Sequence, residues 1–171
     1  MAFSKSMSGF LIRGASPAQI AAYVREHAQR LLKTTTAKSV LTMAEITALL
    51  VNARDPSTGY TAIHHATRPQ QTDRLRHCEL LISLGADLTL STPAMGWTAL
   101  HRVVAGATEA SVDEDVKLVH LLVNTLSKRD GDDSQRCCCV KDAQGNTPVM
   151  LARKLTFHGS DALLAALNEA S

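Results

Sequence analysis

The sequence has 171 residues, 45% of them hydrophobic and 4% aromatic, with 18 Lys+Arg against 16 Asp+Glu for a formal net charge of +2. This is enough chain to bury one core, and the charge is too balanced to direct it to nucleic acid or an anionic membrane by itself. No apolar run approaches the roughly 18 residues of a transmembrane helix, and four cysteines, three of them consecutive, do not make a secreted disulfide framework.

Residues 1–14 read as an N-terminal extension. Phe3, Phe10, Leu11 and Ile12 are broken by Ser, Lys and Gly, without the continuous apolar stretch of a secretory signal. A reducing cytoplasmic setting is expected, and the small size leaves the nucleus open as well. Ser16-Pro17-Ala18-Gln19 is a capping box with Pro at the first helical position. It predicts a helix to about Lys33, with Ile20, Val24, His27/Ala28, Leu31 and Leu32 along one face. Thr42-Met43-Ala44-Glu45 is a second capping box, opening a helix whose apolar residues are Ile46, Leu49 and Leu50. Residues 15–55 are therefore expected to form an N-terminal helical cap or degenerate repeat.

Three later segments share one pattern: Gly59-Tyr60-Thr61-Ala62-Ile63-His64-His65-Ala66, Gly96-Trp97-Thr98-Ala99-Leu100-His101-Arg102-Val103, and Gly145-Asn146-Thr147-Pro148-Val149-Met150-Leu151-Ala152. The pattern resembles the ankyrin signature T-P-L-H-x-A. Leu80 to Asp87, ending Gly85-Ala86-Asp87, resembles the second helix of that repeat and its exit. Val51 to Asp55 and Lys141 to Gly145 resemble its finger. The resemblance implies an all-α ankyrin-type helical repeat solenoid of about three to four helix pairs with finger loops. Residues 56–159 would carry the repeats and 160–171 a C-terminal capping helix, with the final helix from Ser160 or Asp161 to Asn168. The spacings depart from the family. Thr61 to Thr98 is 37 residues and Thr98 to Thr147 is 49, against a period of about 33. The excess is expected in loops at 106–115 and 127–136. Ser111-x-x-Glu114 is expected to cap the second helix between them, with Val112, Val116, Val119, Leu122, Val123 and Leu126 as its apolar face.

Each motif residue has an expected structural role. Thr61, Thr98 and Thr147 precede first helices and can cap their free N–H groups. The resemblance implies that His64 and His101 join Thr61 and Thr98 in a network tying repeats together. Met150 replaces the histidine beside Thr147, so the network should be weaker or absent there. Gly85 stands where a helix needs a left-handed residue to end. Leu126 stands at the corresponding place one repeat later, where the helix should run on or end differently.

The family binds other proteins on the face made by its fingers and first helices. A protein–protein interaction module, adaptor or regulatory subunit is therefore expected, monomeric and acting on another protein. Tyr60, Trp97 and Asn146 occupy the variable position before each motif Thr, and Tyr and Trp dominate binding hot spots. His65, Arg68 and Arg102 are candidate polar contacts, with Arg74, Arg76, His77 and Lys154 extending a basic strip. The alternatives are a nucleic-acid binder using that strip, or an enzyme using a cysteine nucleophile.

Other chemistry is weaker. Adjacent His64 and His65 lack the i, i+4 spacing of a helical ligand pair. Cys137-Cys138-Cys139 contains no Cys-x-x-Cys. It reads as finger residues with Cys138 inward, with a redox- or lipid-modified site as the alternative. Cys78 is expected in the core. The acidic run Asp130-Gly131-Asp132-Asp133-Ser134 lacks the spacing of a calcium loop. No catalytic motif, metal site or cofactor is expected.

Overall fold

The computed structural model describes residues 14–34, 41–129 and 139–169. All regular structure in these residues is helical, and the chain has an all-α helical repeat fold. It forms two compact units. One comprises Met1–Ala66 with Gln71–Asp87, and the other Thr67–Gln70 with Leu88–Ser171. Cys137, Cys138, the acidic run 130–134 and nearly all of the N-terminal extension lie outside the described residues.

The first unit contains α1 (Pro17–Thr34), α2 (Met43–Asn52), α3 (Ala62–Ala66) and α4 (Arg74–Ser83). Both N-terminal capping boxes form. Ser16 N donates to Gln19 Oε1 over 2.8 Å and Gln19 N to Ser16 Oγ over 3.4 Å. Thr42 N donates to Glu45 Oε2 over 2.7 Å and Glu45 N to Thr42 Oγ1 over 3.2 Å. Ile20, Val24 and Ala28 form the buried stripe of α1. Leu31 and Leu32, expected on that stripe, are exposed. α1 packs on α2 and α4, which have 10 residues each against its 18. At 1.5 Å per residue, α1 is roughly 12 Å longer than either, so its last turns have less to pack against. In α2 the buried residues are Ile46 and Val51, whereas Leu49 is 62% exposed. Leu49 turns away from the side that carries Ile46, Leu50 and Val51.

Arg74, His77, Cys78 and Leu81 are spaced i, i+3, i+4, i+7 and form the buried face of α4. Arg74 and His77 are therefore interior residues rather than parts of an exposed basic strip; Arg76, off that face, is exposed. His77 Nε2 lies 2.8 Å from the carbonyl of Ala15, linking α4 to the start of α1. α4 ends at Gly85, whose φ of +92° is the left-handed conformation its position requires. Gly85 N donates to Ile82 O and Ala86 N to Leu81 O. Asn52, the last residue of α2, clamps this exit. Its Nδ2 donates to Gly85 O over 2.9 Å and its Oδ1 accepts from Asp87 N over 2.8 Å.

The second unit contains α5 (Ala99–Gly106), α6 (Val112–Arg129), α7 (Pro148–Ala152) and α8 (Ser160–Asn168). α5 packs on α6 and α7, and α8 on α6 and α7. Val112, Leu118, Val119, Leu122, Val123 and Leu126 are buried on α6, as are Leu163, Ala166 and Leu167 on α8. Val116, expected in this face, is only half-buried, and Leu118 takes the interior place.

The segment 106–115 is not an inserted loop. Gly106 ends α5, Val112 opens α6, and only residues 107–111 connect them. Much of the extra length instead extends helices: α6 has 18 residues where α4 has 10, and α5 has 8 where α3 has 5. Without a glycine at Leu126, α6 runs through the expected exit to Arg129. Ser111 does not complete the expected capping box; its Oγ donates to Asp115 Oδ2 over 2.7 Å.

Candidate functional site: fingers and first helices

Three fingers precede α3, α5 and α7, and they close by one plan. Asp55 N donates to Tyr60 O and Gly59 N to Asp55 O, over 2.8 and 2.7 Å. Thr92 N donates to Trp97 O and Gly96 N to Thr92 O, over 2.8 and 2.9 Å. Asp142 N donates to Asn146 O and Gly145 N to Asp142 O, over 2.8 and 3.0 Å. The glycines have φ of 69°, 66° and 80°, which side chains rarely adopt. The first residue of each finger also satisfies the turn with its side chain. Asp55 Oδ1 accepts from the amides and hydroxyls of Ser57 and Thr58. Thr92 Oγ1 accepts from Trp97 N, and Asp142 Oδ1 from Gln144 N and Asn146 N. These bonds, that of the Ser57 hydroxyl first, hold the Asp55 carboxyl at about 2, below its ordinary value.

Tyr60, Trp97 and Asn146 thus occupy equivalent places, each giving its carbonyl to the first residue of its finger. Their side chains differ in surroundings. The half-buried Tyr60 ring lies 5.9 Å from the His64 ring and 5.5 Å from that of His65, centroid to centroid. Trp97 is half-buried, and its Nε1 donates to Asp142 Oδ2 over 3.4 Å, within the fingers of the second unit. Those two fingers also share a backbone bond, Ala143 N to Met95 O over 2.9 Å. Asn146 Nδ2 reaches Asp142 Oδ1 over 3.3 Å, and Asn146 Oδ1 accepts from Lys154 Nζ over 2.6 Å.

Behind each of the first two fingers stands the Thr–His pair. Thr61 Oγ1 is 2.8 Å from His64 Nδ1, and Thr98 Oγ1 is 2.9 Å from His101 Nδ1. Thr98 N–H points at His101 Nδ1, so Nδ1 accepts and Nε2 carries the proton. Nε2 donates to the Asn146 carbonyl over 3.1 Å, joining α5 to the next finger. Burial pulls His101 below its ordinary value, opposed by this carbonyl and by Asp142. Thr147 keeps the helix cap, accepting from Met150 N over 3.2 Å, but the Met150 side chain is exposed and carries no relay.

His65 does not belong to an exposed surface: it is 1% exposed. All five residues of α3 are buried, so this short helix has no outward side on which to present it. Arg68 and Arg102 are half-buried and Lys154 is exposed. Cys78 is buried as expected, and Cys139 is exposed. Among the described residues no helix is long and apolar enough to cross a membrane. Sequence reading passed over the turn-capping roles of Asp55, Thr92 and Asp142. Their signal is an Asp or Thr placed three or four residues before a finger glycine.

Helix pairs joined by glycine-turned fingers, with α5 and α7 each opened by a capping Thr, define a helical-repeat protein. A family model described as Ankyrin repeat matches residues 58–93, and that stretch is similar to an ankyrin repeat. No curated protein matches the sequence. Proteins built from ankyrin repeats are generally protein–protein interaction modules and typically not enzymes.

Proposed function

We propose that this chain is a cytoplasmic adaptor or regulatory module that holds a partner protein against its fingers and, in the second unit, its first helices. The observation that carries this reading is the contrast within the fingers. Three turns share one hydrogen-bond plan but display Tyr60, Trp97 and Asn146 at the same place. A constant frame with a varied displayed side chain suits recognition more than catalysis. In the second unit the contact residues are Trp97, Arg68, Arg102 and Asn146; in the first it is Tyr60. Residues 15–55 and 160–171 act as the terminal caps of the array, which must meet water on one side.

The test is affinity capture from the source cell's lysate with wild type, Trp97→Ala and Tyr60→Ala, each checked for folding by circular dichroism. A partner retained by wild type should bind Trp97→Ala about 2 kcal/mol more weakly. Equal retention by all three forms sinks the reading.

A further inference from the structure

We infer that the last finger and the helix behind it form a recognition site for an acidic segment of a partner protein, with Trp97 as the apolar wall and Lys154 as the principal cation. The inference rests on the reading that the fingers carry the partner surface, and adds the partner's chemistry to it.

The second unit builds a row of bonded groups. The Trp97 indole donates to Asp142 Oδ2, the Asn146 amide donates to Asp142 Oδ1, and Lys154 donates to the Asn146 amide oxygen over 2.6 Å. An indole, an amide and an ammonium therefore lie side by side. The carboxylate among them faces inward. Asp142 is 7% exposed, and its oxygens take bonds from Gln144 N, Asn146 N, the Asn146 amide and Trp97. Lys154 is on the surface, and among the described residues no carboxylate pairs with it.

In the two described segments that carry these groups, 88–107 and 139–155, the solvent-facing charge has one sign. Between residues 139 and 155 the chain carries Lys141, Arg153 and Lys154, all exposed, against the inward-facing Asp142. From 88 to 107 its one Lys, Arg, Asp or Glu is Arg102. A partner carboxylate arriving at Lys154 would replace the neutral Asn146 oxygen with a charged acceptor, which makes the stronger bond. An apolar residue beside that carboxylate would meet the half-exposed indole, the arrangement of an anchor with a polar rim. Single-stranded nucleic acid fits less well. It binds through successive aromatic platforms, whereas Trp97 stands here without an aromatic neighbour in its finger or in the next.

Trp97 is the single tryptophan of the chain, so its emission reports on this site directly. The probes are a synthetic Glu/Leu peptide, the same peptide with Lys for Glu, and a single-stranded oligothymidylate, each titrated into the full chain. The Glu/Leu peptide should change the emission saturably, and more weakly as salt rises. Lys154→Glu should lower its affinity about tenfold and favour the Lys peptide instead. Lys154→Met, which removes charge without reversing it, should fall between. Absence of a saturable change, an affinity indifferent to both Lys154 variants, or tighter binding of the oligonucleotide would overturn the inference. If a captured partner is lost by Trp97→Ala but held equally by wild type and Lys154→Glu, the finger reading stands and the acidic-segment inference fails.

Discussion

His101 on α5 donates from Nε2 to the backbone carbonyl of Asn146, 3.1 Å away at the end of the next finger. The same carbonyl accepts from Asp142 N, so one oxygen closes a finger and ties it to the preceding helix. Thr98 sets this up by fixing the ring from its other nitrogen. Thr147 caps α7 alike but orients no ring, because Met150 points outward.

The two threonines should therefore differ in worth. Thr147→Ala removes a helix cap and should cost about 1 kcal/mol. Thr98→Ala removes a cap and also the hydroxyl contact to the buried His101 Nδ1, leaving only the longer backbone N–H bond there, so about 2 kcal/mol is expected. Urea unfolding of both variants measures the difference. Equal losses would mean that the His101 relay contributes nothing.

The relay also predicts an acid sensitivity with a definite sign. His101 is lowered by burial, so the unfolded chain takes up this proton more readily than the folded one. Its contribution is fully present above the ordinary histidine value of about 6.5 and is lost as pH falls through the lowered folded value. The slope from one such proton cannot exceed about 1.4 kcal/mol per pH unit. Asp55, held at about 2, acts in a lower window. Its contribution is present above the ordinary carboxylate range and disappears as pH falls toward that value. Unfolding midpoints across this range should lose the upper part of the slope in His101→Gln and the lower part in Asp55→Asn. A wild-type slope in both variants would assign the effect to other groups.

Much of this was legible in the sequence because it is local. The capping boxes at Ser16 and Thr42 and the caps at Thr98 and Thr147 need only a three-residue spacing to be recognised, and the structure forms these four. What needs a neighbour was harder to read. Arg74 and His77 looked like surface charge, although their spacing with Cys78 and Leu81 already marked one helical face. His65 looked free until α3 proved short and wholly buried. The residues 106–115 looked like a loop because nothing local says that α5 and α6 lengthen instead. The Lys154–Asn146 bond joins two ends of α7 and has no periodic signature at all.

Gly85 and Asn52 make a paired prediction. At φ +92° an alanine is strained, and its Cβ would meet the Ala48 Cβ at 3.1 Å. Gly85→Ala should cost about 1–3 kcal/mol. Asn52→Ala leaves the Gly85 carbonyl and the Asp87 amide without their partner, and about 1–3 kcal/mol is again expected. Because the two residues touch, the double variant should fall short of the summed losses. Strict additivity in a double-mutant cycle would show that the clamp does not couple α2 to the exit of α4.

The last prediction separates two adjacent places on α2. Leu49 is 62% exposed and Val51 is fully buried, although hydrophobicity alone would rank Leu49 as the larger core contributor. Leu49→Lys trades an apolar group already in water for a charged one, and should change stability by less than about 0.5 kcal/mol. Val51→Ala removes two methyl groups from a packed interior and leaves a cavity, for a loss on the order of 2 kcal/mol. Thermal or urea unfolding reads both directly. A large loss from Leu49→Lys with little from Val51→Ala would mean that α2 is rotated about its axis, and that the Asn52 clamp, set by the same rotation, is misplaced with it.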